Sequence, residues 1–135
     1  MGKGKLLLLL VIVGVMGLAA CSSQPQITAA TYNLALGNLV NGEIATRQVE
    51  IQNGGQADLV IEAVSTSCGC TEATLSPLTI APGETGVLSV SFDSGAHGPA
   101  LSGEIIRQVF VYSNDPKQPQ LVVEVAATIL LPAVP

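Results

Sequence analysis

Chemistry in the folded part of this chain could come from three side chains. Cys68 and Cys70 flank a single glycine in Thr66-Ser67-Cys68-Gly69-Cys70-Thr71, and His97 stands in Gly95-Ala96-His97-Gly98-Pro99. Two sulfurs at this spacing admit three readings. A local disulfide needs the two Cα atoms inside a narrow range of separation, and Gly69 gives the turn the backbone freedom to reach it. A ring this small is expected to be readily reduced. A metal is the second reading, since two thiolates on one turn suit a soft ion such as Cu(I). Copper on Cys68 and Cys70 is therefore the cofactor alternative; structural zinc wants four ligands, and only His97 is left to add. Under the third reading both cysteines act as compact, partly buried residues closing the end of a strand. The structural reading, with or without a disulfide, is the expectation, because exported thiols without partners oxidise. No metal, cofactor or catalytic residue is assigned on that basis.

The neighbouring residues bear on reactivity. A thiolate nucleophile wants cations close by, whereas the sequence around Cys68 and Cys70 holds no Lys or Arg, and Glu72 works against ionisation. A dyad of Cys70 with His97 has no motif behind it, and a lone loop histidine reads as solvated. One histidine in the chain supports no Ser-His-Asp arrangement. Asn114-Asp115-Pro116 falls short of the six to eight oxygens calcium takes, and reads as a turn. The chain is expected not to be an enzyme.

A third cysteine has a different prospect. Lys3 and Lys5 lead into an apolar run from Leu6 to Gly17, closed by Leu18-Ala19-Ala20-Cys21. Short basic charge, about a dozen apolar residues and small residues at the cut mark a secretory signal. The run is shorter than the roughly 20 residues that cross a bilayer core. Leu18 to Cys21 resembles the lipobox of bacterial lipoproteins, in which the cysteine takes a diacylglyceryl group and becomes the first mature residue. The resemblance implies a lipidated Cys21, with fatty acyl chains such as palmitate, and removal of residues 1–20. Two or more acyl chains hold a protein stably on a membrane. Absence of Asp after the cysteine, where Ser22 stands, fits outer-membrane sorting in a two-membrane bacterium. In a one-membrane organism the same anchor holds the protein on the outer face of the plasma membrane. Ser22-Ser23-Gln24-Pro25-Gln26 then forms a polar tether.

The cut also takes Lys3 and Lys5 away, moving the net charge from −5 to −7 and leaving Arg47, Arg107 and Lys117 as the only basic residues. Nucleic acid is excluded as a partner, because a phosphate-binding surface needs clustered cations.

Every candidate side chain must be positioned by strands. Apolar residues recur at alternate positions in short runs: Tyr32, Leu34 and Leu36; Val49 and Ile51 after Arg47; Leu59 and Ile61; Leu88, Val90 and Phe92; Ile106, Phe110 and Tyr112; Leu121 through Ile129. Asn41-Gly42, Asn53-Gly54-Gly55, Pro82-Gly83 and Asn114-Asp115-Pro116 supply the turns between them. About seven strands in roughly 100 residues predict an all-β, immunoglobulin-like sandwich. With so few aromatics its core must be Val, Ile and Leu. Glu62, Glu104 and Glu124 are expected on solvent faces or edges. The expected organisation is a leader over 1–20, lipidated Cys21 and tether over 21–30, the sandwich over 31–131, and a tail over 132–135.

The order Asn53-Gly54-Gly55, Leu59-Val60-Ile61, Ser67-Cys68-Gly69-Cys70-Thr71, Pro82-Gly83-Glu84 and Ser113-Asn114-Asp115-Pro116 resembles the bacterial domain of unknown function 1573. The resemblance runs from about Tyr32 to Ile129. It implies an immunoglobulin-like fold akin to hydin-type and major-sperm-protein domains, which are binding modules. The functional expectation is a lipid-anchored envelope protein that is a non-catalytic binding or structural module with a protein partner. The alternative is an envelope thiol protein, binding Cu(I) or exchanging electrons through Cys68 and Cys70.

Overall fold

Alternating apolar side chains are buried only if two sheets face each other, and the strands arrange themselves accordingly. A computed structural model describes residues 22–134; the expected leader over 1–20 and Cys21, expected to be lipidated, lie outside the described residues. The strands are β1 (Ile27–Ala29), β2 (Asn33–Val40), β3 (Ile44–Asn53), β4 (Leu59–Thr66), β5 (Thr71–Ser76), β6 (Thr79–Ile80), β7 (Thr85–Asp93), β8 (Gly103–Ser113) and β9 (Gln120–Leu130). One sheet has the order β1-β3-β7-β5 and the other β2-β9-β8-β4-β6. All pairs are antiparallel except β2 with β9, which run parallel. The protein is an all-β, immunoglobulin-like sandwich.

Leu88, Val90 and Phe92 of β7 meet Val109 and Val111 of β8 and Leu121, Val123 and Val125 of β9 in a core where each is fully buried. Side chains of this size each contribute about 1.5–3 kcal/mol on burial. Phe92 is the one aromatic among them, as the composition requires. Ser89 and Ser91 face outward between the buried residues of β7. Glu62, Glu104 and Glu124 are exposed.

Sequence alternation missed some elements for identifiable reasons. β1 occupies residues expected to be tether, so the sandwich begins before residue 31; three residues are too few to show a period, and β1 is held by pairing with Ile51–Asn53. β5 is rich in Thr, Ala and Ser, and β6 has only two residues. On β8 both faces are apolar. The register Val109↔Val123 and Val111↔Leu121 buries Ile105, Val109 and Val111, leaving Ile106 61% exposed on the opposite face with Phe110 and Tyr112. Tyr32 precedes β2 and is exposed.

The end of the sandwich that receives the N-terminal segment is closed by two buried polar side chains. Asn53 Nδ2 donates to the carbonyls of Ala57 (2.7 Å) and Ile80 (2.9 Å), while its Oδ1 accepts from the amides of Gln26 (3.2 Å) and Gly55 (3.0 Å). Asp115 accepts from the amides of Ile27 (2.9 Å), Lys117 (2.8 Å) and Gln118 (3.2 Å). Burial works to raise the Asp115 pKa, but these three amides and the Lys117 charge outweigh it and hold the carboxyl below its ordinary value. Backbone bonds from Gly54 N to Gln26 O and from Gln56 N to Gln24 O, both 2.9 Å, dock the segment further. Gly55 is required there, because a Cβ would lie 2.6 Å from Gln26 N and closer still to Gln24 O. The turn between β4 and β5 lies at the opposite end, separated by the eight residues of β4, or roughly 25 Å.

Asn53→Ala leaves two carbonyls and two amides without their partner and should cost about 3 kcal/mol in urea unfolding; Asn53→Asp should cost at least as much near neutral pH, because two carbonyl oxygens would then face a carboxylate. Asp115 has a depressed folded pKa, so its stabilisation is fully present above the unfolded value of about 3.9 and is lost as the pH falls through the folded value. Melting of Asp115→Asn against the parent from pH 6 to pH 2 should show a smaller acid-dependent fall in the variant; parallel curves would remove the assignment.

Candidate functional site

The turn after β4 is shaped by a hydroxyl. Thr66 Oγ1 lies 3.0 Å from the Cys68 carbonyl and 2.9 Å from the Thr71 carbonyl, and Thr71 N–H closes the loop onto Cys68 O at 3.1 Å. Ser67 ties the loop to β8: its amide donates to Gln108 O, and its Oγ accepts from Gln108 N, each at 2.9 Å. Cys68 and Cys70 are joined as a disulfide with a Cα separation of 5.2 Å, inside the range such bonds require.

The two sulfurs have different surroundings. Cys68 is half-buried, receives the Cys70 amide on Sγ at 3.1 Å, and has His97 Nε2 at 3.2 Å. Cys70 is buried at 4% exposure, with Thr71 Oγ1 at 3.6 Å and Arg107 Nε donating to its Sγ at 3.4 Å. The sulfurs and the imidazole lie within 4.8 Å of one another, three ligand atoms of the kind soft metals take.

His97 is delivered by the connection from β7 to β8, which a second set of polar side chains fixes. The fully buried Ser94 hydroxyl accepts from Gly42 N (3.0 Å) and shares its proton between the carbonyls of Glu43 (2.8 Å) and Val40 (3.0 Å). Asp93 Oδ1 accepts from Gly95 N at 2.8 Å, and Asn41 Nδ2 donates to Gly98 O (3.0 Å) and Leu101 O (2.9 Å). A Cβ on Gly95 would lie 3.0 Å from Gly42 Cα, so any larger residue there would push the two turns apart by a few tenths of an ångström. Arg107 arrives from β8, on the face shared with buried Ile105 and Val109.

Several sequence expectations change as a result. The cysteine pair is not without a cation: Arg107, 37 residues beyond Cys70, supplies one across the sandwich. His97 is exposed yet touches a sulfur, and the sulfur is that of Cys68 rather than Cys70. The available signal for Arg107 was its place in the β8 alternation, one residue out of phase with Ile106 and Phe110. Asn114 and Asp115 form a turn, with Asn114 Oδ1 accepting from Val60 N at 2.9 Å.

Comparison with known structures supports the architecture. A protein of unknown function from Porphyromonas gingivalis W83 is similar with a TM-score of 0.69 and 23% identity over 82% of this chain, which spans 50% of that chain. PapD-like domain 7 of human CEP192 gives 0.62 at 13% identity, covering 82% of this chain and 89% of that one. SSP-19, a protein of the MSP-domain type from Caenorhabditis elegans, gives 0.53 at 14% identity, covering 75% and 98%. No match is found among the curated proteins. A family model does match, over residues 27–129 and with the Cys68-Gly69-Cys70 turn inside it, so the chain belongs to the family described as protein of unknown function (DUF1573).

Proposed function

We propose that the protein is an envelope lipoprotein, held on the membrane by lipid on Cys21, whose sandwich is a non-catalytic module that binds a protein partner. The observation that carries this reading is the docking of residues 24–27 onto one end of the sandwich. Gln24, Gln26 and Ile27 are already bonded to the domain, so only Ser22 and Ser23 separate Cys21 from docked backbone. So short a link holds the Asn53–Asp115 end toward the bilayer and presents the opposite end and the strand edges away from it.

The mode of recognition is strand addition at β5, which pairs with β7 on one side and, among the described residues, with no strand on the other. Asp93 N–H bonds Cys70 O at 2.9 Å, which sets the alternation along β5 and turns the amides of Ala73 and Leu75 to the free edge. An extended partner segment finds backbone donors and acceptors there with little demand on its sequence.

Two measurements test the reading. Cells fed labelled palmitate should label the protein, and Cys21→Ser should abolish the label and release the protein from membranes; unlabelled protein that stays soluble sinks the anchor. A photo-crosslinking residue at Thr74 should give a discrete adduct in cells that Ala73→Pro removes and that Cys68→Ser with Cys70→Ser leaves intact. Adducts unaffected by Ala73→Pro, in a variant that melts like the parent, would exclude strand addition at β5.

A further inference from the structure

Beyond partner binding, we propose that Cys68 and Cys70 form a thiol–disulfide exchange site, spent once per reaction rather than turned over, that oxidises the dithiol of a protein or peptide, with Cys68 the sulfur attacked and Cys70 the sulfur that leaves. The inference rests on the inequality of the two sulfurs. Cys68 is on the accessible side of the pair, beside exposed His97, while Cys70 is buried against Arg107. An incoming thiolate therefore reaches Cys68. Exchange is faster when the leaving thiol is more acidic, and a guanidinium N–H aimed at sulfur favours the thiolate. Arg107 Nε–H is aimed at Cys70 Sγ, the atom on which the charge develops.

A substrate thiolate gives its pair to Cys68 Sγ, forming a mixed disulfide; the Cys68–Cys70 bond breaks and its pair leaves on Cys70 Sγ beside Arg107. His97 Nε2, 3.2 Å from Cys68 Sγ, is placed to take the proton of the incoming thiol. The second substrate thiolate then attacks the first substrate sulfur in the mixed disulfide, and the pair of the broken bond leaves on Cys68 Sγ. The substrate dithiol ends as a disulfide, two electrons oxidised, and Cys68 and Cys70 end as thiols carrying the two protons it gave up.

Position and charge support this assignment. The site is at the end of the sandwich opposite Gln26 and Ile27, clear of the docked N-terminal segment. The two sulfurs and His97 could also gather a Cu(I) ion once reduced. Arg107 places a positive charge against one of the two sulfurs that ion would need, which favours a departing thiolate over a metal ligand.

The test uses the whole mature chain with Cys21→Ser, so that only two thiols can be counted. Oxidised protein is mixed with an equal amount of a reduced two-cysteine peptide, quenched in acid, alkylated and weighed intact. The peptide should lose two hydrogens in the same proportion as the protein gains two alkyl groups. Reduced Cys70→Ser given the oxidised peptide should accumulate a mixed disulfide through Cys68, and Cys68→Ser should trap about tenfold less. Arg107→Gln should slow reduction of the disulfide about tenfold at an unchanged melting temperature, with Arg107→Lys recovering most of the rate. A peptide that stays reduced, equal trapping at both positions, or an Arg107→Gln rate equal to the parent's overturns the proposal. So does reduced protein that holds Cu(I) through the peptide challenge with both thiols protected, which would assign the site to copper instead.

Discussion

Connections between two facing sheets strand backbone groups at the ends of the sandwich, and buried polar side chains with several hydrogen bonds each satisfy them. Asn53 alone serves four such groups, and Ser94 at the other end serves three. An unmade bond of this kind costs about 1–3 kcal/mol when buried, so these few residues decide whether the connections can run where they do. The apolar core would form with many sequences of the same pattern. Its particular ends would not.

Each end has acquired a different use of the same device. At the Asn53–Asp115 end the bonds go to Gln26 and Ile27, so chain that would otherwise hang free becomes part of a sheet. At the other end Ser94 and Asn41 hold the β7–β8 connection low enough for His97 to meet Cys68, and Gly95, lacking a Cβ, eases its close approach to Gly42. The position of the imidazole is thus a consequence of hydrogen bonds that do not involve it.

The fold was legible in the sequence wherever burial has a period. Leu88 to Phe92 and Leu121 to Ile129 show strict alternation, and the structure buries the expected side. β8 shows the limit of that signal: when both faces are apolar, only the partner strand's register chooses between them, and Val123 opposite Val109 chose the face that periodicity alone could not. β1 and β6 exist because of what they pair with, not because of what they are made of. The site was legible only in part. The two cysteines stand out by spacing, but His97 and Arg107 lie 29 and 37 residues from the sulfurs they meet, and no local pattern encodes a contact made by a loop and a strand from different parts of the chain.

Charge makes the position of Arg107 informative. Only three Lys or Arg side chains follow residue 20, against ten acidic ones. Arg47 is exposed on β3, and Lys117 lies in the Asp115 turn, where its charge acts on that carboxylate. Arg107 is half-buried: its Nη1 makes an exposed contact, while the Nε edge that faces Cys70 is part-buried, and water lost at that edge is a cost that anionic neighbours or hydrogen-bond acceptors must offset. Among the described residues its side-chain acceptors are the Ile106 carbonyl at 2.8 Å and the Cys70 sulfur. A disulfide sulfur is a poor acceptor and offsets little, whereas a thiolate in the same place would offset much more. The same guanidinium is therefore better satisfied with Cys70 ionised than with Cys70 bonded to Cys68, which makes the electrostatics of this end of the sandwich depend on the redox state of the pair.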